Sequence, residues 1–329
     1  MFKKKTVFAF LTALSLLLVS CAGVIENSNF ETEGYVLHDG EKLVPEYIMQ
    51  IGDNAISLAE YRYYYLNQKF ELDGGDDSVW ENYPEYIDSL QEYVESTLVE
   101  VYAIRSLSKD NGVEPDYEQV KKEISEYKEG LSSSEFKKGL TEYYLTEELY
   151  EYILQGYQLY VSLFDYYFGQ DGAEALTDER MLEYIENNYT HVKHILIYPN
   201  TIMSDEDYEA YLNTVLEKAR SGEDFDALIE EYSDDSAMPS YGYYYTDEEM
   251  PEEFVLACES LESGEISELV KSSYGYHVIK KLDVDEADLT SLTDVVYNKI
   301  FSEIINERIE SLEIEYAPEF DYITPYTLK

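Results

Sequence analysis

Cysteine and histidine are scarce in this chain, with 2 Cys and 4 His in 329 residues. Two cysteines, one of them inside an N-terminal apolar segment, exclude an intrachain disulfide framework. So few histidines and cysteines, none at zinc-ligand spacing, exclude a His/Cys metal cluster. Basic residues are also few, 23 Lys and Arg against 70 Asp and Glu, for a formal net charge of −47. A surface of that sign repels nucleic acid and anionic headgroups, so neither is expected as a partner. The acid excess itself reads as a solvated face that resists aggregation. No internal repeat and no glycine-rich phosphate loop occur, which argues against a solenoid or a nucleotide site. No metal or other cofactor is expected.

What the chain has in quantity is tyrosine, 36 residues of it. It also has a clear N-terminal signal. Lys3, Lys4 and Lys5 precede an apolar run from Thr6 to Val19. That run is shorter than the roughly 20 residues of a membrane-spanning helix and reads as a signal peptide over 1–20. It ends in Leu18-Val19-Ser20-Cys21, which resembles the lipobox of bacterial lipoproteins. That resemblance implies a diacylglycerol on Cys21, a lipid anchor to the cell membrane and an extracytoplasmic location. Cys258, left without a partner, reads as a small buried residue rather than a reactive thiol.

Residues 21–45 show no periodicity and are expected to be a lipidated tether. A short apolar strand, a turn at Gly52-Asp53-Asn54 and a helix capped by Ser57 follow, with Glu60 at capping-box spacing. Ile87, Leu90, Val94, Leu98, Val101 and Ile104 recur every three or four residues, one face of a long helix. Helical patterns continue over 116–130, 134–155, 157–168 and 177–188, with breaks expected at Gly130 and Gly156. Tyrosine on these helices is read as core edge. Near His191 the pattern changes. "HVKHILIYP" reads as a strand ended by Pro199. Helices over "SDEDYEAYLNTVLEKARSG" and "DFDALIEEYS", a strand at "YGYYY", a helix from Pro251 and a final strand at "YHVIKKLDV" complete an α/β unit. One more long amphipathic helix is expected over "LTDVVYNKIFSEIINERIESLEIEY".

Four segments of this α/β unit stand in the order and spacing of the parvulin-type (PpiC) peptidyl-prolyl isomerases, which the chain resembles over 191–283. They are "HILI" at 194–197, "GEDFDALIEEYSDDS" at 222–236, "MPEEF" at 250–254 and "GEISELVKSSYGYHVIK" at 264–280. The resemblance implies peptidyl-prolyl cis-trans isomerisation. By family correspondence the catalytic positions are His194, Asp235, Ser272 and His277. The substrate-binding positions are Tyr241, Tyr244, Met250 and Phe254. His194 and His277 would face each other on adjacent strands beneath an apolar slot formed by Met250 and Phe254. Two departures matter. "MPSYGYYY" stands where the family has Gly-Gly-Asp-Leu-Gly, and this puts catalysis in doubt. No Lys or Arg follows the first strand, which argues against phosphorylated substrates.

The fold class expected is α+β: a parvulin domain at 190–283 inserted in an all-α chaperone domain built from 46–189 and 284–329. With the lipobox, this organisation resembles PrsA-like foldase lipoproteins and, more distantly, the SurA chaperones. Unfolded or partly folded secreted proteins are the partners that resemblance implies. A homodimer through the helical domain is compatible with this reading, though no residue demonstrates one. A catalytically inactive parvulin-fold chaperone stays open as the alternative.

Overall fold

The computed structural model describes residues 34–200 and 202–329. The expected signal peptide and Cys21 lie outside these residues. The chain forms two compact units. One closes at Ala175 and resumes at Lys299–Lys329; the other is Leu176–Asn298.

The first unit opens with a hairpin of β1 (Val36–His38) and β2 (Glu41–Leu43). Part of the expected tether is therefore folded. The reason is the Asp39-Gly40 turn, in which both residues have positive φ (49° and 81°), as a tight two-residue hairpin requires. Val36 is fully buried, and Tyr35 and Lys329 exchange backbone hydrogen bonds of 3.0 Å. A second hairpin joins β3 (Met49–Ile51) to β4 (Asn54–Ile56). Six helices follow: α1 (Leu58–Asp73), α2 (Ser78–Asn82), α3 (Glu85–Asn111), α4 (Tyr117–Lys128), α5 (Ser133–Glu142) and α6 (Glu147–Phe168). Ser57 caps α1, its hydroxyl accepting from the Glu60 amide at 3.2 Å.

Helix α6 runs straight through Gly156, where a break was expected. A side chain there would collide with Arg105, its Cβ 2.9 Å from Nη2. The bare glycine lets that guanidinium donate to the Tyr152 carbonyl at 2.8 Å. The break falls earlier, at Tyr144, whose φ is +62°. The apolar face foreseen on α3 is buried, with Leu90, Val94 and Leu98 fully inaccessible. Tyr61 and Tyr65 pack in the same core, along with Trp80. Those two tyrosines belong to α1; on α3 to α6 most tyrosines are partly buried or exposed, at the edge of the core.

The second unit contains α7 (Asp178–Asn188), β5 (Thr190–Ile197), α8 (Asp205–Arg220), α9 (Phe225–Tyr232), β6 (Tyr243–Tyr245), α10 (Glu252–Glu259), β7 (Val270–Lys271) and β8 (Tyr276–Leu282). Its four strands form an antiparallel sheet in the order β6-β5-β8-β7. On one face, Ile195, Ile197 and Val278 pack with Leu212, Val215 and Leu216 of α8 and Phe225 and Leu228 of α9. On the other, Val192 and Ile279 pack with Phe254 and Cys258 of α10. Cys258 is buried, as the sequence suggested.

Helix α11 (Leu289–Ser311) crosses the division between the units, which falls after Asn298. It stops before the apolar stretch once included in it. Ile314–Tyr316 is instead a strand, β9, that pairs with β3. The fold class is α+β: one unit carries the small four-stranded antiparallel sheet, and the other is mostly helical.

Candidate active site

The site is built on the central pair β5 and β8. Their register sets Leu196 opposite His277 and His194 opposite Ile279. Side chains alternate along a strand, so His194, Leu196, His277 and Ile279 share one face. His194 and His277 are diagonal neighbours on it, and their Nδ1 atoms lie 3.1 Å apart with the rings 13° from parallel. Asp235, in the loop after α9, places Oδ2 2.8 Å from His194 Nε2. Ser272, just after β7, places Oγ 2.7 Å from His277 Nε2.

These contacts fix the protons. An ionised Asp235 only accepts, so His194 carries its hydrogen on Nε2. His194 Nδ1 then accepts from His277 Nδ1–H. His277 Nε2 in turn accepts from the Ser272 hydroxyl, whose oxygen accepts from the Tyr274 amide at 3.1 Å. Both imidazoles are neutral, each in one tautomer. Burial drives the His277 pKa down to about 4, and the neighbouring His194 adds to that shift. His194 is also lowered, chiefly by burial, although Asp235 pulls against it. Burial pushes the Asp235 carboxyl upward, but bonds from His194, the Ala237 amide and Tyr243 outweigh it and hold the group below its ordinary value.

Phe254 covers this network. Its ring meets His194 and His277 edge-on at 5.6 and 5.3 Å and is itself buried. Met250 packs on the same apolar cluster from the turn before α10 and is half-buried. Two glycines let the backbones close in. A Cβ on Gly242 (φ +91°) would lie 2.3 Å from the Val192 carbonyl oxygen, and one on Gly275 (φ +152°) 2.4 Å from that of Ile197.

Six of the eight expected site residues thus come together: His194, Asp235, Ser272, His277, Met250 and Phe254. Tyr241 and Tyr244 do not. Tyr244 pairs with His191 and follows that residue's parity, so it projects from the reverse face of the sheet. There it stacks on the His191 ring at 3.9 Å and donates to Asp288 at 2.8 Å. The Tyr241 ring lies 6.3 Å from the Tyr244 ring. The residue that reaches the site instead is Tyr243. Its hydroxyl donates to Asp235 at 3.0 Å and its ring stands edge-on to His194 at 5.7 Å. The sequence held no signal for it, since the register of β6 on β5 decides which of the three tyrosines faces the site. Among the described residues, no group of three or more His, Cys, Asp or Glu could hold a metal ion.

A fold and site of this kind define a peptidyl-prolyl isomerase domain, and residues 194–283 match the family model of the PPIC-type PPIase domain. Comparison with known proteins extends beyond that domain. The foldase protein PrsA of Oceanobacillus iheyensis is 31% identical over 230 residues, covering 67% of this chain and 71% of that one. The chain belongs to the PrsA foldase family. The chaperone SurA of Vibrio cholerae is 33% identical over 139 residues, which cover 40% of this chain and 32% of SurA. The chain thus spans about a third of that chaperone's length. A crystal structure of PrsA from Bacillus cereus aligns with a TM-score of 0.34 at 20% identity, over 81% of this chain and 92% of that one.

Proposed function

We propose that the protein is an extracytoplasmic, lipid-anchored foldase that rotates X-Pro peptide bonds over the His194–His277 pair and holds incompletely folded exported chains. The observation that carries this reading is the continuous hydrogen-bonded run from Ser272 through His277 and His194 to Asp235, roofed by Phe254.

The reaction makes and breaks no bond, so the site needs no nucleophile. Rotation meets a barrier of about 18–20 kcal/mol because the planar amide is conjugated. The twisted amide loses that conjugation and much of its charge separation. A dry cavity with apolar walls and neutral imidazoles at its floor therefore disfavours the planar ground state relative to the twisted one. Met250 and Phe254 hold the proline ring and exclude water. Two neutral imidazoles, whose donors are all engaged, make a polar floor without net charge. Asp235 and Ser272 keep them so by fixing the tautomers from both ends.

The inactive-chaperone reading rests on the "MPSYGYYY" segment, with Tyr241 in place of Leu and no Gly-Gly pair. In that segment the Tyr241 ring lies 6.3 Å from the ring of Tyr244, a residue of the reverse face, which favours the active reading. Anchoring rests on the Leu-Val-Ser-Cys21 motif, which lies outside the described residues. Among the described residues, no helix is long and apolar enough to cross a membrane.

Two measurements test the proposal. Magnetisation-transfer NMR on an X-Pro peptide, with the full chain at catalytic concentration, is expected to show accelerated exchange. Unchanged exchange overturns the isomerase reading. Mass spectrometry of membrane-extracted protein is expected to find a diacylglycerol on Cys21, and an unmodified Cys21 overturns the anchor.

A further inference from the structure

Tyr243 does two things that no other residue of the site does together. Its ring packs, as Met250 does, on the cluster of Val192, Tyr245, Phe254 and Ile279, where the slot is built. Its hydroxyl reaches past that ring to Asp235 Oδ2, the same oxygen that accepts from His194 Nε2. We propose that Tyr243 is a positioning residue of this site, fastening the wall that receives the proline ring to the carboxylate that sets the histidine tautomers. The proposal rests on the isomerase reading given above.

Three donors face Asp235. Oδ1 accepts from the Ala237 amide at 2.9 Å, and Oδ2 is shared by His194 and Tyr243. His277 acts on it only through His194. Among the described residues, no Lys or Arg forms an ion pair with this carboxylate; its titratable partners are His194 and Tyr243. Without the tyrosine hydroxyl, Oδ2 keeps a single donor and the carboxylate is a weaker acid and a weaker anchor. The hold on the Nε2 proton of His194 then loosens. If that proton moves to Nδ1, it meets the Nδ1–H of His277 head-on, donor against donor. Tyr243 therefore acts through Asp235 on a tautomer two bonds away.

The two functions separate by substitution. Tyr243→Phe keeps the wall and removes the bond. It is expected to lower kcat about tenfold, the change that corresponds to ~1.4 kcal/mol, with KM for an X-Pro peptide unchanged. The acid limb of its pH profile moves to higher pH, because Asp235 loses a donor to its ionised form. Tyr243→Leu removes ring and bond together and raises KM as well. If Tyr243 acts through Asp235, then Tyr243→Phe combined with Asp235→Ala is no slower than Asp235→Ala alone. Parent-like kcat and pH profile in Tyr243→Phe, or additive losses in the double variant, overturn the proposal.

A second arm does not depend on activity. With 15N-histidine in the full chain, the parent is expected to show His194 as a pure Nε2–H tautomer. In Tyr243→Phe the two nitrogen shifts move towards each other. Unchanged shifts overturn the role of Tyr243, whereas an inactive parent overturns the isomerase reading and leaves this measurement standing.

Discussion

His194 and His277 hold one proton between their Nδ1 atoms, 3.1 Å apart, and the arrangement works only while both rings are neutral. A second proton would set two donors against each other in a buried site. The sign of the resulting pH dependence follows. His277 titrates near pH 4 in the fold, against an ordinary 6.5. Between those values the unfolded chain binds more protons, so stability is full above about 6.5 and falls as pH drops towards 4. In histidine-detected NMR, the His277 resonance is expected to titrate near 4. A midpoint at 6.5 contradicts the neutral pair.

Glu100 gives the opposite dependence in the other unit. It is only 5% exposed, and burial raises its pKa to about 7 from an ordinary 4.5. The folded chain binds the extra proton between these values, so this group erodes stability as pH rises through that window. Glu100→Gln should raise the melting temperature at pH 8 and leave it nearly unchanged at pH 5. Equal effects at both pH values would contradict the burial argument.

Met250 and Phe254 should separate on substitution. Phe254 is buried in the core of the sheet's site face, so Phe254→Ala is expected to destabilise by about 3–5 kcal/mol. Met250 is half-buried at the slot, so Met250→Ala should raise KM for an X-Pro peptide with a much smaller shift in the urea midpoint. A Met250→Ala variant with unchanged KM removes that residue from the slot.

Gly242 is where the backbone tolerates nothing larger. Gly242→Ala puts a Cβ 2.3 Å from the Val192 carbonyl oxygen at φ +91°. A loss exceeding ~1 kcal/mol is expected from the conformation alone, before the collision is counted. Chemical denaturation checks it, and a neutral effect would mean that β6 does not approach β5 as described.

Much of this was legible beforehand, and the gaps have physical causes. Helix faces such as Leu90-Val94-Leu98 read directly from their spacing, and the four polar site residues came from motif order. Tyr243 did not, because three consecutive tyrosines give no hint of which alternate position faces inward. One residue of shift exchanges the faces of a strand, and only pairing with β5 settles it. The Asp39-Gly40 hairpin carried a readable turn signal that the polar composition around it obscured. Strand β9 shows the alternation Leu312-Glu313-Ile314-Glu315-Tyr316, but it follows α11 directly and its partner β3 lies far away in sequence. Gly156 has the residue type of a helix break but serves Arg105 instead, a contact no local pattern reveals.

The most direct test compares exchange of an X-Pro peptide in the presence of the parent chain and of His277→Ala, with circular dichroism as the check on folding. The account expects faster exchange with the parent and a loss of roughly tenfold or more in the variant, its helical and strand signals retained. A parent that leaves exchange at the uncatalysed rate, or a folded His277→Ala as fast as the parent, would contradict it.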